Sequence, residues 1–272
     1  MKTFILTLFM SLTSLFAFGQ SYDKLWKQVE QFEDDGKPKS AYDAASKILK
    51  KALRAHHTGQ TLSARLKMAS LRQEWAPDSF FTDIRELEAL RSAERRPEAR
   101  AVYASLLAEL YEMNRDRSQA SDLELASGDI REWTRQQYDS AAVDNWKLSM
   151  MDLPALAKAK SSDWLPFIEQ DEQSEYFNHD LLHVLWHRVL EQEDDVWRNT
   201  GHAKELLARE VAEVYRQLGN REAELLVMLD YIEEQTAVSD SKLLLQLKEQ
   251  FSDLPLCAEV YLRLIGCYYD VK

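Results

Sequence analysis

Apolar side chains in this chain recur at three- and four-residue intervals from Tyr22 to Tyr269, and no stretch alternates convincingly with period two. The first pattern is that of an amphipathic helix and the second that of a half-buried strand, so the periodicity commits the chain to helices packed on helices. Tyr22, Leu25, Trp26, Val29 and Phe32 open the series, and Gly36 with Pro38 interrupts it before SAYDAASKILKKAL resumes. That spacing predicts a helical hairpin. Further helices are expected over Thr61–Trp75, Asp83–Ala93, Glu98–Met113, Arg135–Met150, Asp180–Gln192, Ala203–Leu218, Arg221–Gln235, Ser239–Phe251 and Leu256–Tyr269. Breakers stand between them at Pro77, Pro97, Gly128, Pro154, Pro166, Gly201, Gly219 and Pro255. With seven Gly and six Pro in 272 residues, 45% hydrophobic and 29% charged, the composition is that of a globular, helix-favouring chain.

Helix pairs joined by short glycine turns suggest a tetratricopeptide-like solenoid. Phe32-x-x-x-Gly36 followed by Ala41, and Tyr215-x-x-x-Gly219 followed by Ala223, both match the turn of such a repeat: an aromatic packs under the turn and a small residue admits the next helix. The Ala follows at different offsets in the two copies, the Trp-x-x-Leu-Gly opening is absent, and no strict period emerges. The expected fold is therefore all-α, with stacked antiparallel helical hairpins in a tetratricopeptide-like α-solenoid over residues 20–272. A regular repeat array is a further option, and the section 114–178 is expected to be irregular.

The first nineteen residues read as a secretory signal peptide, with Lys2, an apolar run broken only by Ser and Thr, and small residues at Ala17 and Gly19 before a junction at Gln20. The run is shorter than the roughly 20 apolar residues of a membrane anchor, and the junction has no Cys to carry a lipid. In a bacterial cell this sends the mature chain to the periplasm or cell envelope. The whole chain has 34 basic and 46 acidic residues. Removing Lys2 with the leader leaves 33 against 46, a mature net charge of −13. No basic cluster is present to meet a phosphate backbone, so the expected partner is a protein rather than nucleic acid. Cys257 and Cys267 fall on one predicted helix, about 15 Å apart at 1.5 Å rise per residue, which is too far for a disulfide. Both are expected as buried thiols.

Three of the six histidines, His179, His183 and His187, stand four residues apart in NHDLLHVLWHR. On one helix each step climbs about 6 Å and turns about 40° past a full turn, so three from a single straight helix cannot surround an ion. One pair at most could bind together, and it would need a third ligand from elsewhere. The His-Glu-x-x-His form that supplies both a pair and a base is absent. Leu182, Leu185, Trp186 and Val189 run beside the histidines, so the expectation is that they flank a packed face and hold no metal. There is no Gly-x-Ser-x-Gly elbow and no glycine-rich phosphate loop, and neither Cys lies beside a His. The acidic EQDEQSEYFN lacks the ligand spacing of a calcium loop. No residue is assigned a catalytic, cofactor-binding or metal-binding role, and no enzyme is expected.

Taken in order, YDKLWKQVEQFEDDGKPKSAYDAASKI, SLLAELYEMNR, GDIREW, LLHVLWHRVL and LPLCAEVYLRLIGCYYD resemble the N-terminal helical region of the alpha-2-macroglobulin-like proteins exported by Bacteroidetes-type bacteria. The likeness spans nearly the whole mature chain and lies in the order and spacing of short packing motifs. His187 and Arg188 match a His–Arg pair of that pattern, while His179 and His183 match no histidine in it.

The resemblance implies a non-enzymatic scaffold or interaction region of a protease-trap protein, partnered by macroglobulin domains. Thioester-bearing members carry Cys-x-Glu-Gln. Here Cys257-Ala258-Glu259 is followed by Val260, which has no side-chain amide to form the thioester, and the bait segment and β-sandwich domains are absent from the sequence. The alternative is an independent tetratricopeptide-like binding module for an exported partner. The stripe Leu256, Val260, Tyr261, Leu264, Ile265 and Tyr268 continues almost to the last residue, which gives the expectation of a final helix lacking its neighbour.

Overall fold

The computed structural model describes residues 22–76, 79–115, 129–168, 180–192, 204–234 and 241–269. The expected leader and its junction lie outside them, as do His179 and the acidic run 169–178. Among the described residues the regular structure is helical: α1 (22–34), α2 (Pro38–Ala55), α3 (Thr58–Gln73), α4 (Phe80–Ala93), α5 (Pro97–Arg115), α6 (Arg135–Ser149), α7 (Leu153–Leu156), α8 (Leu181–Leu190), α9 (Lys204–Gln217), α10 (Arg221–Glu234), α11 (Ser241–Gln250) and α12 (Cys257–Tyr269). Two short 3-10 turns, Ile130–Glu132 and Ser161–Trp164, and an isolated bridge between Lys160 and Asp180 complete it. The chain is all-α, and the expected boundaries hold to within a few residues. The section foreseen as irregular contains α6, α7 and both 3-10 turns. None of the described helices is long and apolar enough to cross a membrane.

The chain divides into two compact units, one of residues 1–83 with 162–169, the other of 84–161 with 170–272. In the first, α2 presents Ala41, Ala44, Ala45, Ile48 and Ala52, all fully buried, along one stripe. Their small side chains let α1 and α3 come close, and Val29, Ala64, Met68 and Leu71 fill the space between. Trp26 Nε1 donates to Gln60 Oε1 at 2.8 Å and Lys67 Nζ donates to Glu33 Oε1 at 3.1 Å, each pair separated by 34 residues. An equal offset at two places along both helices means that α1 and α3 run parallel, in register one helical hairpin apart.

Both aromatic-x-x-x-Gly segments form tight turns between helices. Gly36 and Gly219 adopt φ of 66° and 73°, and the residue after each donates its N–H to the aromatic's carbonyl, Lys37 to Phe32 at 2.8 Å and Asn220 to Tyr215 at 2.9 Å. This is the left-handed cap that satisfies the last carbonyls of a helix, and Gly pays no steric cost there. α2 ends on the same bond pattern with His56 in the left-handed position, φ 54°. Gly59, on the first turn of α3, lies directly against the carbonyls of Trp164 and Leu165, and Trp164 is buried.

In the second unit, α5 packs on α6 around buried Tyr111, Tyr138 and Trp146. Trp133 stacks on Tyr111 with ring centroids 5.7 Å apart, and a Thr134–Gln137 capping box starts α6. α9 and α10 form a hairpin through Gly219. Arg221, at the start of α10, donates to the carbonyl of Gln250 at 2.9 Å, and Gln250 donates to Glu224 at 3.1 Å, which sets α11 antiparallel to α10. Leu225, Leu229, Leu244, Leu247, Phe251, Val260 and Leu264 form the core shared by α10, α11 and α12. The apolar stripe of α12 thus divides: Val260 and Leu264 are buried, while Tyr261 and Ile265 are exposed, as is Leu262 beside them. Cys257 and Cys267 are free thiols on that helix; the Cys257 thiol is buried against the Lys248 carbonyl of α11, whereas Cys267, expected to be buried, is only partly so.

Candidate functional site

The histidine helix begins at a buried carboxylate. Asp180 has extended backbone, and its side chain accepts from the His183 N–H at 2.9 Å, the bond of an N-cap that satisfies an otherwise orphan donor. The same Oδ1 accepts the Tyr215 hydroxyl of α9 at 2.7 Å, and Leu181 N–H donates to Ala159 at 2.8 Å. Burial pushes the Asp180 carboxyl up, against the opposing pull of these two bonds. The start of α8, and with it the rotation of its faces, is thereby fixed.

With α8 so placed, Leu181, Leu182, Leu185, Trp186 and Val189 turn into the core. His183 goes with them and is only 1% exposed, so it lies in the packed face instead of beside it. His187, one turn further on, keeps 28% of its side chain in solvent. Their rings sit 4.9 Å apart, tilted by 58°. Arg188 pairs with Glu109 of α5 and lies over the Trp146 ring, 6.0 Å from its centroid.

A residue the sequence did not point to closes the group. Asp230 of α10 brings Oδ2 to 3.0 Å from His183 Nε2 and 3.2 Å from His187 Nε2. Burial raises the carboxyl's affinity for a proton, but the bond from His183 and the contact with His187 outweigh it and hold Asp230 below the usual carboxylate range. It is a charged carboxylate, largely removed from water. One ligand atom from each of His183, His187 and Asp230 lies within 4.8 Å of the others. Chemically the trio can share protons across the carboxylate, pinning α8 to α10, or direct two imidazole nitrogens and an oxygen at one cation. The only sequence signal for Asp230 was an acid set inside the apolar run LLVMLDYI.

Elsewhere in this unit a shallow cleft of about 360 Å³ is lined by Arg91, Arg100, Leu148, Met151 and Asp152 among others. Of its polar groups, Arg91 pairs with Asn145 and Asp152 accepts from the Ala155 N–H. No protein-family model, no curated protein and no solved structure matches this chain.

Proposed function

We propose that this chain is a non-enzymatic helical scaffold or interaction region of an exported alpha-2-macroglobulin-like protein, built as tetratricopeptide-like hairpins. The observation that supports the repeat architecture is the register of α1 on α3. Two hydrogen bonds at a common 34-residue offset match the length of one tetratricopeptide repeat, in which each first helix packs in parallel on its counterpart in the next repeat. Such hairpins present helix faces to protein partners. On α12 the exposed Tyr261, Leu262 and Ile265 offer an apolar face of the kind that marks protein contact.

The test is site-specific photocrosslinking from position 261 in cells that export the full chain, followed by mass spectrometry of the adduct. The expected adduct carries peptides of a macroglobulin-type β-sandwich domain. An adduct with an unrelated exported protein would support the independent binding module instead. Adducts confined to copies of this chain would overturn both readings.

A further inference from the structure

We propose that His183, His187 and Asp230 form a binding site for a zinc-type divalent transition metal, which clamps α8 onto α10. The geometric objection to a metal on this helix applied to three histidines in a row. A pair one turn apart is a different case, because both nitrogens can face the same point when a third ligand approaches from the side. Asp230 does so from another helix, and its Oδ2 lies 3.0 and 3.2 Å from the two nitrogens. Around zinc, bonds of about 2.0–2.1 Å in a tetrahedron place ligand atoms about 3.3 Å apart. The carboxylate therefore sits within a few tenths of an ångström of a tetrahedral edge to each imidazole. An ion entering the group would replace the proton shared between His183 and Asp230.

The donor set narrows the kind of metal. Calcium and magnesium take oxygen ligands, whereas two imidazoles with one carboxylate suit zinc and its first-row neighbours. Burial favours capture, since one charged carboxylate of low water exposure faces two neutral or cationic rings, and a divalent ion would neutralise it more completely than a shared proton does. Preorganisation favours it as well: the Asp180 cap fixes the rotation of α8, and the two imidazole rings already sit side by side, 4.9 Å apart. His187, with 28% of its side chain in solvent, forms the outer side of the site, and His183 its closed back. Three protein ligands leave a fourth tetrahedral position for water. The proposal does not depend on the family reading above, since of the trio only His187 matches a residue of that pattern, His183 matches no histidine in it, and Asp230 lies outside its motifs.

The experiment uses the full chain, treated with chelator and titrated with Zn²⁺ by calorimetry and with Co²⁺ by visible absorption. The expected result is one ion per chain, the strong visible bands of tetrahedral Co²⁺, and a thermal midpoint that rises with Zn²⁺ concentration. His187→Gln and Asp230→Asn are each expected to weaken Zn²⁺ binding by at least about 10- to 100-fold, the loss that even outer-shell partners of a metal cause. His56→Asn, at an exposed helix end, should leave it unchanged. Circular dichroism establishes that each variant keeps its helices. X-ray absorption of the Zn²⁺-loaded wild-type chain needs no variant and should report two imidazole nitrogens. No saturable one-to-one binding, undiminished binding by both His187→Gln and Asp230→Asn, or a zinc shell without imidazole would each overturn the site and leave a proton-sharing contact between two helices.

Discussion

Replacing Gly59 with alanine sets two effects of opposite sign against each other. In a helix interior alanine is favoured over glycine by about 0.8–1.0 kcal/mol, and at the first turn of α3 the gain is a fraction of that. Against it, a Cβ on residue 59 would lie 2.3 Å from the Leu165 carbonyl oxygen and 2.4 Å from that of Trp164. Non-bonded atoms of this kind settle at roughly 3.5 Å, so the overlap is about 1 Å against two backbone groups that cannot rotate away. The first unit can respond by shifting α3, at the roughly 1–3 kcal/mol typical of overpacking. It can also release the 162–169 segment, forgoing the burial of Trp164, which is worth at most about 3 kcal/mol for a large side chain. Either response, less the propensity gain, leaves Gly59→Ala destabilised by about 2 kcal/mol. With a urea slope of roughly 1–3 kcal/mol per molar, the midpoint falls by about 1 M. Gly266→Ala is the paired control: this helical glycine has nothing within 4 Å of an added Cβ, so propensity acts alone and the variant should gain up to about 1 kcal/mol. Urea titration by circular dichroism reads both, and hydrogen exchange over residues 58–73 locates the effect. A midpoint for Gly59→Ala equal to or above wild type would refute the seating of residues 164–165 on α3.

His56→Gly should stabilise the chain by about 0.5–1 kcal/mol, because a left-handed conformation costs a side chain about 1–2 kcal/mol that glycine avoids, and thermal melting reads it. Tyr215→Phe removes the hydroxyl that donates to buried Asp180 at 2.7 Å and should cost about 1.5–3 kcal/mol, the range for hydrogen bonds to charged groups, seen as a lower urea midpoint with helicity retained. Glu94 is held down to about 2, first by its bond to Arg96 and then by the backbone N–H groups of Arg95 and Arg96. A lowered carboxyl stabilises the fold above the unfolded-state value and loses that contribution as pH falls from about 4.3 toward 2. Since Arg96 is half exposed, Glu94→Gln should cost under about 1 kcal/mol at pH 7, and the gap between variant and wild type should narrow as urea titrations move from pH 7 toward pH 3.

The helices were legible because burial against a neighbour imposes a 3.6-residue rhythm that any sequence must display, and the Gly36 and Gly219 turns because only glycine enters the left-handed region freely. The cap at His56 was not legible, since histidine there announces nothing. The 34-residue register of α1 on α3 was also missed: Trp26 with Gln60 and Glu33 with Lys67 are pairs of unlike residues, and a repeat search looks for like ones. At the histidine helix the four-residue spacing was visible, but its meaning rested on Asp230, which reaches it through the packing of α10 on α8. Which of three in-line histidines faces that helix depends on where α8 starts, and that is set by Asp180.

The return of residues 162–169 to the first unit has a consequence in time. A chain leaves the ribosome from its N-terminus, and α1 to α3 emerge well before the segment that carries Trp164. The interval from residue 83 to residue 169 is 86 residues, or roughly 4 to 17 seconds of synthesis at about 5–20 residues per second. For that interval the face of α3 around Gly59 is open to solvent, chaperones and proteases. An N-terminal unit that could otherwise close at once must wait for the middle of the chain, so a nascent chain stalled before residue 164 should be cleaved within α3, and one stalled beyond residue 169 should resist.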